Sequence, residues 1–321
     1  MSVKIFLELV EIRTKLASLL PFIIGLLFVI YYFGEFNPLN TAVFFACMII
    51  FDMTTTAINN YMDWKKAVDD PEFDYKNTRN VIGIHNLGEK MVVTTILTML
   101  FIAVVLGIWL VYLTTLLVLL IGIVCFAIGI FYTFGPIPLS RLPLGEVFSG
   151  VTMGFGIRFL IIYVNAHHLG LIGLTYHDGQ LLINMDILAL ITILLISLPG
   201  IFTIANVMLA NNICDLEEDR RNNRYTLVHY IGRASALKLF NALYFLSFLA
   251  ITFAAVIGIF PLSITIVGLT LVPVIKNIKI FGEVQIKSKT FALSLKNLLL
   301  INGATAIALA IALLIQATTT S

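Results

Sequence analysis

The chain has 321 residues, of which 60% are hydrophobic and 12% charged, with a mean hydropathy of +1.01. Soluble domains carry about 25% charged residues, so this balance excludes an ordinary soluble enzyme and makes lipid the expected solvent. A net charge of +2 gives no support to a nucleic-acid partner. Three scattered cysteines (Cys47, Cys125 and Cys214) lack the number and spacing of a disulfide framework or a zinc site.

The N-terminus, "MSVKIFLELVEIRTKLASLLPFIIG", reads as an amphipathic lead-in that runs into a first membrane helix. Glu8 and Glu11 precede an apolar stretch too long for a signal-peptide core, and no small-residue cleavage site follows it. A spanning helix needs about 20 mostly apolar residues. Nine segments qualify, at 17–34, 42–60, 91–111, 114–134, 145–165, 184–209, 236–258, 261–276 and 293–315. The third and fourth are joined through "LVYLTTLL", which predicts a tight helical hairpin, and the eighth is short. The expected fold is therefore all-α, a polytopic membrane bundle of nine transmembrane helices forming one domain over 1–321.

Lys and Arg set the orientation. Of the 20, all but Arg158 fall in the lead-in, between spans two and three, four and five, six and seven, or eight and nine, or at the edges of those segments. The alternate loops, such as "GEFNPLN" and "NAHHLGLIGLTYHDGQ", carry none. This pattern predicts a cytosolic N-terminus and an outside C-terminus.

Two acidic stretches then fall at cytosolic helix ends, "NNYMDWKKAVDD" (59–70) after the second span and "NNICDLEED" (211–219) after the sixth. Their similar placement suggests two pseudo-repeated halves. In the second stretch Asn211, Asp215 and Asp219 recur every four residues and share a helical face. In the first, Asn59 and Asp63 share a face, and Asp69 follows where the helix is expected to have ended. Such oxygen ligands suit Mg²⁺, which prefers carboxylates and is commonly completed by substrate phosphates. Lys65, Lys66, Arg79, Arg220, Arg221 and Arg224 lie nearby in sequence. Carboxylates interleaved with bases point to a metal–phosphate ester rather than a bare cation. A solvated cytosolic face is the plainer reading of one such motif. A pair, each led by an Asn one turn earlier, favours a site.

With these motifs the chain resembles the UbiA superfamily of membrane aromatic prenyltransferases, whose signatures read N-D-x-x-D…D and N-x-x-x-D-x-x-x-D. Three further stretches, "IRTKLASLLPFIIG", "YTFGPIPLSRLPLGEVFSG" and "DRRNNRYTLVHYIG", resemble the branch that prenylates 1,4-dihydroxy-2-naphthoate in menaquinone synthesis. Tyr132, Gly135, Pro136, Pro138, Arg141, Gly145, Glu146, Thr226 and Leu227 match its patterns. Departures are Asn60 in place of the usual Asp, Thr14 in place of Pro, and Asn223–Arg224 in place of Gly-Lys.

The resemblance implies Mg²⁺-dependent transfer of a polyprenyl group from its diphosphate to an aromatic acid, with loss of CO₂ for dihydroxynaphthoate. It places the enzyme in the bacterial plasma membrane with its site on the cytosolic side. Asn59, Asp63, Asp69, Asn211, Asp215 and Asp219 would hold the metal, and Arg79, Arg141 and Lys65 the diphosphate. Tyr132 would orient the isoprenoid or face its cation, or else simply anchor the fourth helix at the interface. Asp63, Asp69, Asp215, Asp219 and Tyr132 form the expected catalytic set.

Two intramembrane charges stand apart. Asp52 lies two turns deeper than Asn59, and Arg158 lies about 20 Å into its span. Arg158 would receive the acceptor's carboxylate, pair with Asp52, or reach the far interface. Competing functions are a cation-coupled transporter, whose site would sit near the bilayer midplane on broken helices, a scaffold that has lost its acceptor pocket, and a prenyltransferase acting on 4-hydroxybenzoate, homogentisate or a glycerol phosphate.

Overall fold

A computed structural model describes residues 1–67, 75–132, 134–135, 138–221 and 224–319. It is built almost wholly of helices. A short helix α1 (Val3–Leu9), capped by the Ser2 side chain accepting from the Ile5 amide, leads into α2 (Ile12–Phe33) and α3 (Pro38–Lys66). Two single-turn helices, α4 (Tyr75–Thr78) and α5 (Val81–Ile84), follow. The chain continues through α6 (Glu89–Leu113), α7 (Leu116–Phe131) and α8 (Gly145–Leu169), then α9 (Ile187–Cys214) and α10 (Leu216–Arg221), and ends with α11 (Leu227–Val256), α12 (Leu262–Glu283) and α13 (Ala292–Thr319).

Eight of these helices, α2, α3, α6, α8, α9, α11, α12 and α13, are long and apolar enough to cross a membrane. The expected fourth span is α7, only 16 residues long, or about 24 Å at the helical rise, against a hydrocarbon core of about 30 Å. Its apolar run continues to Phe134 in sequence, but the helix stops at Phe131, short of "GPIP". The tight hairpin before it is present, with Thr114 and Thr115 alone between α6 and α7.

One element departs from the all-α expectation. The loop after α8 forms a two-stranded antiparallel hairpin, β1 (Ile172–His177) and β2 (Gln180–Met185), in which His177 pairs with Gln180. Asp178 and Gly179 both adopt positive φ, 50° and 78°, as a two-residue type I′ turn requires.

The bundle is apolar outside as well as in. Leu262, Tyr112, Val256 and Leu188 are among the most exposed large side chains, as a surface facing lipid demands. Burial between helices then gains little over lipid contact, so close approach and polar bonds carry the packing. Gly150 and Gly154 lie on α8 where it meets α9. A Cβ on Gly154 would come within 2.5 Å of the Ile201 backbone nitrogen, so this spacing of the two helices depends on glycine there.

Polar residues brace the interior. Lys15, at the start of α2, donates to Asp52 Oδ1 on α3 at 2.8 Å, and Ser18 Oγ donates to Asp52 Oδ2 at 2.6 Å. Arg158 is 1% exposed and donates to the carbonyls of Ile196 and Ser197 and to Asn302 Oδ1 at 2.7 Å. The expected alternative of an Asp52–Arg158 pair is therefore not formed: each has found nearer partners. Gly200 makes room for the guanidinium, since a Cβ there would lie 2.2 Å from Arg158 Nη1.

Candidate active site

The two acidic motifs end α3 and α9. Asp63 lies in the last turn of α3. Asp215 caps the end of α9, and Asp219 sits on the short α10 that follows. A small break at Asp215 does not rotate the motif. The Asp215 amide donates to Asn211 O at 2.9 Å and the Asp219 amide to Asp215 O at 2.7 Å. Asn211, Asp215 and Asp219 therefore stay on one face, as their spacing implies.

Arg224 joins the two motifs. Its Nη1 lies 3.8 Å from Asp63 Oδ2 and its Nε 3.5 Å from Asp219 Oδ1. Both distances are ion-pair contacts too long for good hydrogen bonds, so the guanidinium lies loosely between the carboxylates. Lys287, from the segment between α12 and α13, donates to Asp215 Oδ2. Asp63 also feels Arg141 and Lys66, and Arg141 feels Asp63, Asp219 and Arg224. Burial pulls the Arg141 guanidinium down from its ordinary range. The Asp219 carboxyl is pushed up to about 6, chiefly by burial and against the opposing pull of Arg224.

Of the remaining expected site residues, Arg79 donates to Glu218 Oε2 at 2.8 Å and so reaches the edge of the second motif. Lys65 is not brought to the cluster. Two positions on from Asp63, it points round the far side of α3, where Glu89 Oε1 and the Tyr61 hydroxyl each hold its ammonium at 2.8 Å. Asp69 lies outside the described residues. Asn59 and Asn211 are partly buried beside their aspartates. Tyr132, just past the end of α7, brings its hydroxyl to 3.4 Å from Gly145 O and lies within electrostatic reach of Glu146 and Arg224.

Sequence reasoning counted Arg224 among the bases near the motifs without assigning it to the diphosphate, and left Lys287 out altogether. Arg224 stands where the family pattern has Lys, and its charge was the available signal. Lys287 has no motif around it, and only the fold brings its segment to Asp215. Asn60, which replaces the usual Asp, serves as a tie instead: its Nδ2 donates to Leu9 O at 2.9 Å, holding α1 against α3.

The donor set fits a hard divalent cation. Asp63 and Asp219, one from each motif, both lie against Arg224, and Asp219 Oδ2 is buried with no hydrogen-bond partner among the described residues. Among those residues no three acidic, His or Cys side chains form a closed ligand cluster; Arg224 and Lys287 lie against the carboxylates.

The profile of the UbiA prenyltransferase family matches residues 18–295. The chain belongs to that family. It is therefore a prenyl-transferring enzyme, and with eight apolar helices of spanning length it is an integral membrane protein. A 1,4-dihydroxy-2-naphthoate octaprenyltransferase of Bacillus subtilis (strain 168) is 28% identical over 255 residues, which cover 79% of this chain and 75% of that one. The fold resembles the apo structure of a UbiA homolog from Aeropyrum pernix K1, with a TM-score of 0.68 at 16% identity over 92% and 98% of the two chains. It also resembles a UbiA homolog from Archaeoglobus fulgidus bound to GPP and Mg²⁺, with a TM-score of 0.64 at 13% identity over 96% and 99%.

Proposed function

We propose that this enzyme transfers a polyprenyl group from its diphosphate to 1,4-dihydroxy-2-naphthoate, releasing CO₂ and diphosphate and giving demethylmenaquinol for menaquinone synthesis. The observation that carries the reaction class is the cluster at the ends of α3 and α9, where acids from both motifs meet Arg224, Arg141 and Lys287. A transporter's ion site would need no such ring of cations. The acceptor rests on the Bacillus subtilis relative and on the sequence around Tyr132 and Arg141.

Asn59, Asp63, Asp69, Asn211, Asp215 and Asp219 would hold Mg²⁺, the ion bound with GPP in the Archaeoglobus fulgidus homolog. When bound, it supplies Lewis-acid stabilisation of the departing diphosphate. Arg224, Arg141 and Lys287 clamp the non-bridging oxygens, with Arg79 at the rim; their charge-assisted bonds position the diphosphate for departure. Tyr132 faces the allylic carbon, where its ring supports developing positive charge. The apolar bundle keeps water from that carbon. In this reading α7 counts as a ninth, shorter span, the N-terminus is cytosolic and the C-terminus outside, and the site faces the cytosol of a bacterial plasma membrane.

Purified protein in detergent, given Mg²⁺ and geranylgeranyl diphosphate, is offered 1,4-dihydroxy-2-naphthoate and 4-hydroxybenzoate in parallel, with products followed by mass spectrometry. A prenylated naphthoquinol lighter by CO₂ is expected. Product from hydroxybenzoate alone overturns the acceptor, and no product from either overturns both assignments.

A further inference from the structure

Glu146, in the first turn of α8, is 4% exposed. Asn212 of α9, 2% exposed, donates to its Oε1 at 2.8 Å. The other oxygen, Oε2, is buried and has no hydrogen-bond partner among the described residues. A bare carboxyl oxygen in such a place costs about 1–3 kcal/mol or more. Packing alone would be better served by an apolar side chain.

Its surroundings suggest what the oxygen is for. Glu146 interacts electrostatically with Tyr132, and Tyr132 with Arg224, the cation lying between Asp63 and Asp219. Asn212 is the neighbour in sequence of Asn211. The Tyr132 hydroxyl lies 3.4 Å from the carbonyl of Gly145, the residue before Glu146, while Asn212 holds the carboxyl at Oε1. The close approach of α8 to α9 at Gly150 and Gly154, one to two turns further on, sets the reach between Glu146 and Asn212.

We propose that Glu146 Oε2 receives the ring hydroxyl of the aromatic acceptor and takes its proton as the ring attacks the prenyl chain. This rests on the acceptor being a hydroxy-arene acid, as in the function proposed above. The O–H electron pair flows into the ring, and a ring carbon forms the new C–C bond to the allylic carbon. The allylic C–O bond breaks with its pair leaving on the diphosphate. The bond from ring to carboxylate then breaks, its pair restores aromaticity, and CO₂ departs. The ring oxygen regains the proton from Glu146, so the carboxyl ends as it began and no oxidant or external base is needed. Asn212 is a positioning residue in this scheme.

The test uses the full chain in lipid nanodiscs with Mg²⁺ and geranylgeranyl diphosphate. Glu146→Gln keeps an oxygen for Asn212 and removes the proton acceptor. It should lower kcat by about 10²–10⁴-fold and leave KM for the prenyl diphosphate within about 2-fold. The loss should shrink with acceptors whose hydroxyl is made more acidic by fluorine or nitro substitution, which a packing role would not produce. Glu146→Asp keeps the carboxylate and should retain more turnover than Gln, also guarding against a Gln variant that folds poorly.

Wild-type-like kcat in Glu146→Gln, an equal loss for all acceptors, or Asp no better than Gln would each overturn the proposal. If wild type turns over a hydroxy-arene acid and these results appear, the inference fails alone. If wild type prenylates only a glycerol phosphate, the acceptor reading fails and the inference falls with it.

Discussion

Separating Lys15 from Asp52 should destabilise the fold more than removing both. Lys15 is 5% exposed, and its ammonium is spent on Asp52 Oδ1 at 2.8 Å, the Asp52 carbonyl at 3.1 Å and the Thr56 hydroxyl at 2.5 Å. At an effective dielectric of 20, charges 2.8 Å apart attract by about 6 kcal/mol, and desolvation of both groups offsets much of this. Asp52→Leu alone leaves a buried ammonium with no counter-charge, at a cost of about 3–5 kcal/mol. Lys15→Met with Asp52→Leu removes both charges. Ser18 Oγ still donates to the Lys15 carbonyl and Thr56 Oγ1 to the Asp52 carbonyl, so neither hydroxyl is orphaned. The double variant should lie within about 1–2 kcal/mol of wild type, giving a coupling energy of at least about 2 kcal/mol. Unfolding in detergent, followed by tryptophan fluorescence, measures all four corners of the cycle. Additive losses, or single variants within about 1 kcal/mol of wild type, would refute the claim that the pair acts as a unit.

Other outcomes follow from the site and its supports. Asp63→Ala or Asp215→Ala should lower Mg²⁺-dependent turnover by at least about 10²–10³-fold with the melting temperature held; a fully active variant rejects the metal assignment. Arg224→Gln should raise KM for the prenyl diphosphate by about 10–100-fold, from loss of a charge-assisted bond worth about 1.5–3 kcal/mol. Lys65→Ala, already paired with Glu89 at the surface, should change that KM by no more than about 2-fold, and the reverse order would restore Lys65 to the clamp. Gly154→Ala forces a Cβ to within 2.5 Å of the Ile201 nitrogen and should cost about 1–3 kcal/mol of stability, read as a lower midpoint in thermal unfolding.

Much of this was legible because period and charge obey simple physics. Apolar runs of about 20 residues read as membrane-spanning helices, and the fourfold spacing of Asn211, Asp215 and Asp219 survives the break at Asp215 because the i to i−4 bonds run through it. What escaped depends on where the chain returns in space. Lys287 reaches Asp215 from 72 residues away, and no local pattern records that. The length of α7 was misjudged because hydropathy counts residues regardless of whether the helix continues past Phe131. The β-hairpin went unread although Asp178–Gly179 is a strong turn signal, because the segment was weighed only for its lack of Lys and Arg.

The intramembrane charges show how one composition can serve different ends. Asp52 and Arg158 were both legible as costly groups needing partners, and sequence alone could not tell which partners. Lys15, three residues before Ser18, reaches Asp52 from α2. Arg158 reaches carbonyls near Pro199, where the missing proline N–H interrupts the ladder of α9, and Asn302 beyond it. Both networks hold helices together, the Asp52 carboxylate bonded at each oxygen and the Arg158 guanidinium through Nη1 and Nη2 while its Nε is buried without a partner among the described residues. Glu146 differs in one respect: Asn212 satisfies one of its oxygens and nothing in the described structure satisfies the other. A bundle that elsewhere satisfies its intramembrane carboxylate at both oxygens has kept one open beside Tyr132. Between these two carboxylates that contrast separates a brace from a group held ready for substrate, and it is why Glu146 rather than Asp52 is the carboxylate to test against the acceptor.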